Sequence, residues 1–135
     1  MKADANDTWN ESLRRGGPIT VQPTEVADLV AAAKAAGYAV FDADCERAKS
    51  KSAVLRAIAN AVDYPEYFGS DLDALLDCLT STVLDQAKGA LVVLRRLNQH
   101  DAGLAPHVPE ILDTFFDAAE EVRDNDRVLA YIQAD

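Results

Sequence analysis

The sequence predicts an α/β fold in which helices cover a three-stranded parallel sheet. Three observations lead there. Ala90-Leu-Val-Val-Leu94 is apolar at every position, as expected of a strand buried on both faces. Two more short runs with strand character, Tyr38–Asp42 and Arg127–Gln133, stand before and after it in the chain. The intervening stretches carry apolar residues three and four apart, the period of a half-buried helix. Strands alternating with helices imply layered α/β packing with right-handed crossovers.

Taken in order, residues 1–22 hold Gly16-Gly17-Pro18 and few apolar side chains, and read as an irregular arm or a short edge element. Pro23-Thr24-Glu25 opens a helix over 25–36, with Thr24 as its cap, Glu25 and Asp28 in its first turn and Gly37 as its stop. After a strand at 38–42, a polar loop leads to a helix over 52–62 whose apolar side is Val54, Leu55, Ile58 and Val62. Leu72, Leu75, Leu76 and Leu79 set a helix over 71–81, which Ser70 can cap while Asp71 and Asp73 meet the positive end of its dipole. A strand over 90–96 follows. Pro109 opens a helix over 109–122 with a stripe of Ile111, Leu112, Phe115, Ala119 and Val122. Its opposite side carries Glu110, Asp113, Asp117, Glu120 and Glu121, and a strand over 127–133 closes the chain. The expected division is an N-terminal extension, arm and helix, over 1–37 and the main α/β domain over 38–135.

A chain of 135 residues is long enough to bury one sizeable core, and its 49% hydrophobic content excludes a disordered main body. No apolar run reaches the length of a membrane span, and Met1–Asp7 lacks the apolar stretch of a secretory signal. A cytoplasmic protein without membrane association is therefore expected. Cys45 and Cys78 lack metal-ligand spacing and read as free thiols.

The net charge of −10 is unevenly placed. Residues 63–87 carry six acidic and no basic residues, and residues 98–135 set nine acids against Arg123 and Arg127, whereas 1–62 balances. Two acidic segments suit a basic partner and disfavour nucleic acid, which is held by neutralising phosphates. Acidity also serves solubility alone, so charge by itself does not decide. Asp77 is the more telling residue. It stands mid-helix four residues after Asp73, so two carboxylates lie side by side at a cost of roughly 0.2–0.5 kcal/mol. Catalysis is a poor account of the pair: His100 and His107 form no ligand pattern, and there is no nucleophile elbow or phosphate loop. No enzyme activity, cofactor or metal is expected.

The segment Tyr64–Ser81 resembles the barstar family, intracellular inhibitors of barnase-type ribonucleases. Pro65-Glu66-Tyr67-Phe68-Gly69, then Leu72-Asp73-Ala74-Leu75 and Asp77-Cys78-Leu79-Thr80, carry the resemblance, which extends more weakly over Phe41–Gln133. It implies that the Asp77 carboxylate takes the place of a substrate phosphate in the ribonuclease active site, and that Asp73 binds an Arg at the rim. Tyr67 and Gly69 would cover the catalytic histidine region, with Phe68 turned into the core, and Thr80 would add a polar contact. Phe115-Phe116-Asp117-Ala118 aligns Asp117 with the family's third acidic contact, and Glu121 follows one turn on. Leu76 stands where the family often has Trp, Ser81-Thr82 where it has Gly-Trp, and Asp71 where Asn is common. These changes remove aromatic anchors and add charge within the same surface. The implied partner is a basic ribonuclease or related toxin nuclease, met by a monomer. The alternative reading keeps the fold but gives this acidic module another basic protein or toxin to bind.

Overall fold

The computed structural model describes residues 5–62 and 71–134. The chain runs through α1 (Ala5–Arg15), β1 (Gly17–Pro18), a 3₁₀ turn (Pro23–Glu25), α2 (Val26–Ala35), β2 (Ala39–Asp44) and α3 (Lys51–Ala61). It continues with α4 (Leu72–Leu84), β3 (Gly89–Arg95), a second 3₁₀ turn (Ala105–His107), α5 (Val108–Arg123) and β4 (Val128–Ala134). All strand pairs are parallel, in the order β1-β4-β3-β2. The sheet thus has four strands where the sequence predicts three. Gly17 and Pro18 have no strand propensity and become β1 only by pairing with Ala130 and Tyr131 of β4. The N-terminal arm is likewise mostly helix, α1.

Side chains alternate across the two central strands and make two cores. Ala90, Val92 and Leu94 of β3, with Leu129 and Tyr131 of β4, face α3, α4 and α5. Leu91 and Val93, with Ala130 and Ile132, face α1 and α2 through Leu13, Leu29, Ala32 and Ala33. The result is helix, sheet, helix. From Gly89 to Leu94 every β3 residue is buried, which is what its unbroken apolar run requires of an interior strand. Phe115 is fully buried, and its ring centroid lies 5.1 Å from that of Tyr131. Cys45 and Cys78 are free thiols, and burial pushes each up to about 11.

The helix ends follow local chemistry. Thr24 falls inside the 3₁₀ turn and does not cap α2; there the Gln22 N–H donates to Glu25 Oε1 at 2.9 Å. Pro23 stands in the first turn, where its fixed φ suits a helical start and its missing N–H leaves no bond unmade. At the other end, the Gly37 N–H bonds the Lys34 carbonyl and the Tyr38 N–H bonds the Ala33 carbonyl. Gly37 has φ +93, so this is the pair of hydrogen bonds about a left-handed glycine that ends a helix, as predicted. Ser50 caps α3 by accepting the Ala53 N–H at 3.2 Å.

One side chain bonds the loop after β2 at three points. Asn98 Nδ2 donates to the carbonyls of Cys45, Glu46 and Ala48 at 2.9, 2.9 and 3.1 Å. Asn98→Ala removes all three bonds, leaving the Cys45 carbonyl only the Ala48 N–H at 3.0 Å among the described residues, and is expected to cost roughly 1–3 kcal/mol in urea unfolding. A loss below about 0.5 kcal/mol would show that solvent replaces the amide without penalty.

Candidate functional site: the acidic face of α4 and α5

The residue that caps α4 is Asp71, not Ser70. Asp71 is extended at φ −89 and ψ 122, and its Oδ1 accepts the Asp73 N–H at 2.9 Å. Both are favoured cap types, and the choice depends on which residue leaves the helix path first. Ser70 itself lies outside the described residues, as do Tyr67, Phe68 and Gly69. The helix runs to Leu84, three residues beyond the predicted end, because Thr82 and Val83 are buried and continue its inner face.

That inner face, Leu75, Cys78, Leu79 and Val83, fixes what α4 shows to solvent. Asp73, Asp77 and Ser81, spaced by four, form one exposed row along the helix. Leu76 is half-buried beside the row and packs on the core edge. Thr80 is 7% exposed, and its hydroxyl donates to the Leu76 carbonyl at 2.9 Å and the Asp77 carbonyl at 3.2 Å. The structure therefore turns Thr80 into its own helix, away from the solvent row.

Helix α5 packs against α4 and shares its side of the sheet. Val108, Ile111, Phe115, Ala118 and Val122 point inward, leaving Asp113, Asp117 and Glu121 as a second exposed row at intervals of four. Phe116, beside that row, is 49% exposed. Asp113 went unassigned in the sequence, although its spacing to Asp117 and Glu121 was the signal for it.

Elsewhere on the described surface some acids meet bases, while others, such as Asp28, Asp85 and Asp126, form no ion pair among the described residues. Arg95 forks onto Asp42 at 3.0 and 2.7 Å, and Arg96 holds Asp44 at 2.5 Å. The Arg96 hydrogen bond, then the Glu46 N–H, lower the Asp44 carboxyl, and Asp42 and Asp44 raise their guanidinium partners. Glu110 lies 2.8 Å from His107 Nδ1 and 3.3 Å from Lys51 Nζ, contacts that lower its carboxyl. Glu120 pairs with Arg123 at 3.3 Å. Among the described residues, no ion pair involves Asp71, Asp73, Asp77, Asp113, Asp117 or Glu121. Among the described residues, Asp71 alone of these six has a carboxylate hydrogen bond, its own cap. Two helices thus present rows of carboxylates for which the described part of the chain supplies no cation.

Rigid carboxylates without counter-charges can do one thing well: accept charge-assisted hydrogen bonds from Arg, Lys or protonated His of another molecule. Among the described residues, no group of three His, Cys, Asp or Glu is placed to hold a metal ion, and no helix is long and apolar enough to cross a membrane.

The family model described as Barstar (barnase inhibitor) matches residues 38–133, from β2 through β4. A protein of Bacillus subtilis (strain 168) described as "Putative ribonuclease inhibitor YrdF" is 29% identical over 72 residues, covering 53% of this chain and 76% of that protein.

Proposed function

Since this chain belongs to the barstar family, we propose that it is an intracellular inhibitor of a barnase-like ribonuclease, blocking the active site with the carboxylates of α4 and α5. The observation that carries the reading is the placement of the carboxylates: Asp73 and Asp77 on α4, and Asp113, Asp117 and Glu121 on α5, form exposed rows on two packed helices and have no ion pair among the described residues. A ribonuclease holds phosphates with a cluster of cations in a cleft. Carboxylates on a packed helix can occupy that cleft with little loss of side-chain freedom. Two opposite charges about 4 Å apart attract by roughly 4 kcal/mol at an effective dielectric near 20, so a few well-placed pairs can dominate the binding.

In this reading Asp77 replaces a substrate phosphate, Asp73 and Asp117 bind cations at the rim, and Glu121 extends the second row. Tyr67 and Gly69 cover the nuclease from the loop before α4. Asp71 contributes charge while capping the helix, and Leu76 gives the surface an apolar border. Residues 38–135 form the inhibitory unit, 1–37 its N-terminal extension, and the free protein is a monomer without catalytic activity.

The test is titration of the purified protein into RNA cleavage by basic guanyl-type ribonucleases, barnase first. Activity should fall linearly and vanish near one equivalent. An interface of the usual size, roughly 1,200–2,000 Å², is expected. Undiminished cleavage across the panel, including any nuclease encoded beside this gene, would overturn the proposal in favour of a different basic partner.

A further inference from the structure

A groove of about 440 Å³ lies between α5 and the chain that follows β1. Ile19 and Val21 line it from one part of the molecule, Leu112, Asp113 and Phe116 from another, together with Tyr131 of β4. It exists because the Ile19 N–H bonds the Tyr131 carbonyl at 3.0 Å, holding the N-terminal segment along β4 and opposite α5. The family match begins at residue 38, so one wall comes from outside the matched region.

Three features describe an occupant. The walls are mainly apolar, and Phe116 leaves half of its surface open to solvent beside them. Among the described residues, no Lys, Arg or His lines the groove, whereas Asp113 does and has no ion pair. Burial and then the Asp113 and Asp117 charges push the Tyr131 phenol up to about 12, so the groove lies in the field of both carboxylates. Phe116 also directly precedes Asp117, which places the groove at the border of the acidic surface.

We propose that this groove seats an apolar or aromatic side chain of the same basic partner, while a neighbouring Lys or Arg of that partner pairs with Asp113. The proposal rests on the inhibitor reading of α4 and α5. Charge selects this occupant over a second copy of the chain, which at a net −10 would repel the first, and over an anionic membrane surface. The N-terminal extension then has a recognition role, widening the interface beyond α4.

Amide chemical shifts of the full-length ¹⁵N-labelled protein test it with three N-acetylated, C-amidated tripeptides: Lys-Phe-Lys, Lys-Ala-Lys and Glu-Phe-Glu. Lys-Phe-Lys should shift amides in 19–21 and 112–116 in a saturable way, with the other two much weaker. Phe116→Ala and Asp113→Asn should each weaken that binding about threefold or more, with the rest of the spectrum unchanged. Equal response to Lys-Ala-Lys, or shifts confined to α4, would overturn the proposal. So would a concentration-dependent dimer in sedimentation that Phe116→Ala abolishes, because a second copy would then fill the groove. In the nuclease titration, Phe116→Ala should weaken inhibition about tenfold. If Asp77→Ala abolishes inhibition and Phe116→Ala leaves it unchanged, the groove proposal falls and the inhibitor reading stands. If no nuclease is inhibited, the inhibitor reading falls and so does the partner named here.

Discussion

Asp77→Ala should leave the protein folded and weaken capture of its target ribonuclease by roughly 2 kcal/mol or more, about thirtyfold. The two halves of that expectation have separate causes. Asp77 is exposed, lies off the buried Leu75, Leu79 and Val83 face, and makes no side-chain contact that the substitution would strand among the described residues. Removing its charge relieves the repulsion from Asp73 four residues earlier, so stability should rise by roughly 0.2–0.5 kcal/mol. In the complex the same change leaves cations of the nuclease buried without their anion, which is where the loss arises. Asp73→Ala should cost less. Glu120→Ala should cost almost nothing, because Glu120 already pairs with Arg123 at 3.3 Å on another part of the acidic helix. A general attraction between an acidic and a basic protein would penalise all three alike. Equal losses at Asp77 and Glu120, measured by calorimetric titration, would refute the plug mechanism even if binding were confirmed.

Gly89→Ala should be among the most damaging single changes to the fold, with a loss of about 3–5 kcal/mol and a fall in Tm of more than about 10 °C. Gly89 opens β3 at φ +135 and pairs with Val128 of β4. A Cβ there would collide with the Val128 carbonyl, and the Val128 N–H is itself committed to the Lys88 carbonyl at 3.0 Å. Both sides of the clash are backbone, so no rotamer change relieves it. Gly37→Ala is the control. Its φ of +93 is also strained for alanine, but the nearest atom to a new Cβ there is Lys88 Cδ at 3.5 Å, an ordinary contact. That variant should lose only about 1 kcal/mol, the cost of a poorer helix stop. Similar losses in the two variants would show that the strand contact yields and that φ strain alone sets the penalty.

Much of this was legible in the sequence, and the misses have physical reasons. The strands predicted at 38–42, 90–96 and 127–133 fall within two residues of β2, β3 and β4, because sustained apolar runs leave few alternatives. Helix α5 was equally plain from its stripe. Helix α1 was not: Trp9 and Leu13 are its main apolar anchors, and it finds its partner in α2 only once the chain is folded. The early stop predicted for α4 reflects Thr80, Ser81, Thr82 and Val83, weak helix formers; the burial of Thr80, Thr82 and Val83 against the core outweighs their propensity. For the candidate site, spacing alone placed Asp73 and Asp77 on one row, and the family resemblance supplied their role. What a linear reading could not supply is which acids find bases. Asp42 and Arg95 lie fifty-three positions apart, and only the register of β2 on β3 brings them together.

The two residues of β1 have a further consequence. Alternation along an extended chain sends successive amides to opposite sides, and the Ile19 N–H points at β4. The backbone nitrogen of Pro18 therefore faces outward, and it carries no hydrogen. The strand that completes this edge lacks the one donor that a strand from another chain would use there, and it is too short to offer a ladder beyond it. At that edge the sheet is finished: β4 gains a neighbour without creating a template for fibre-like growth.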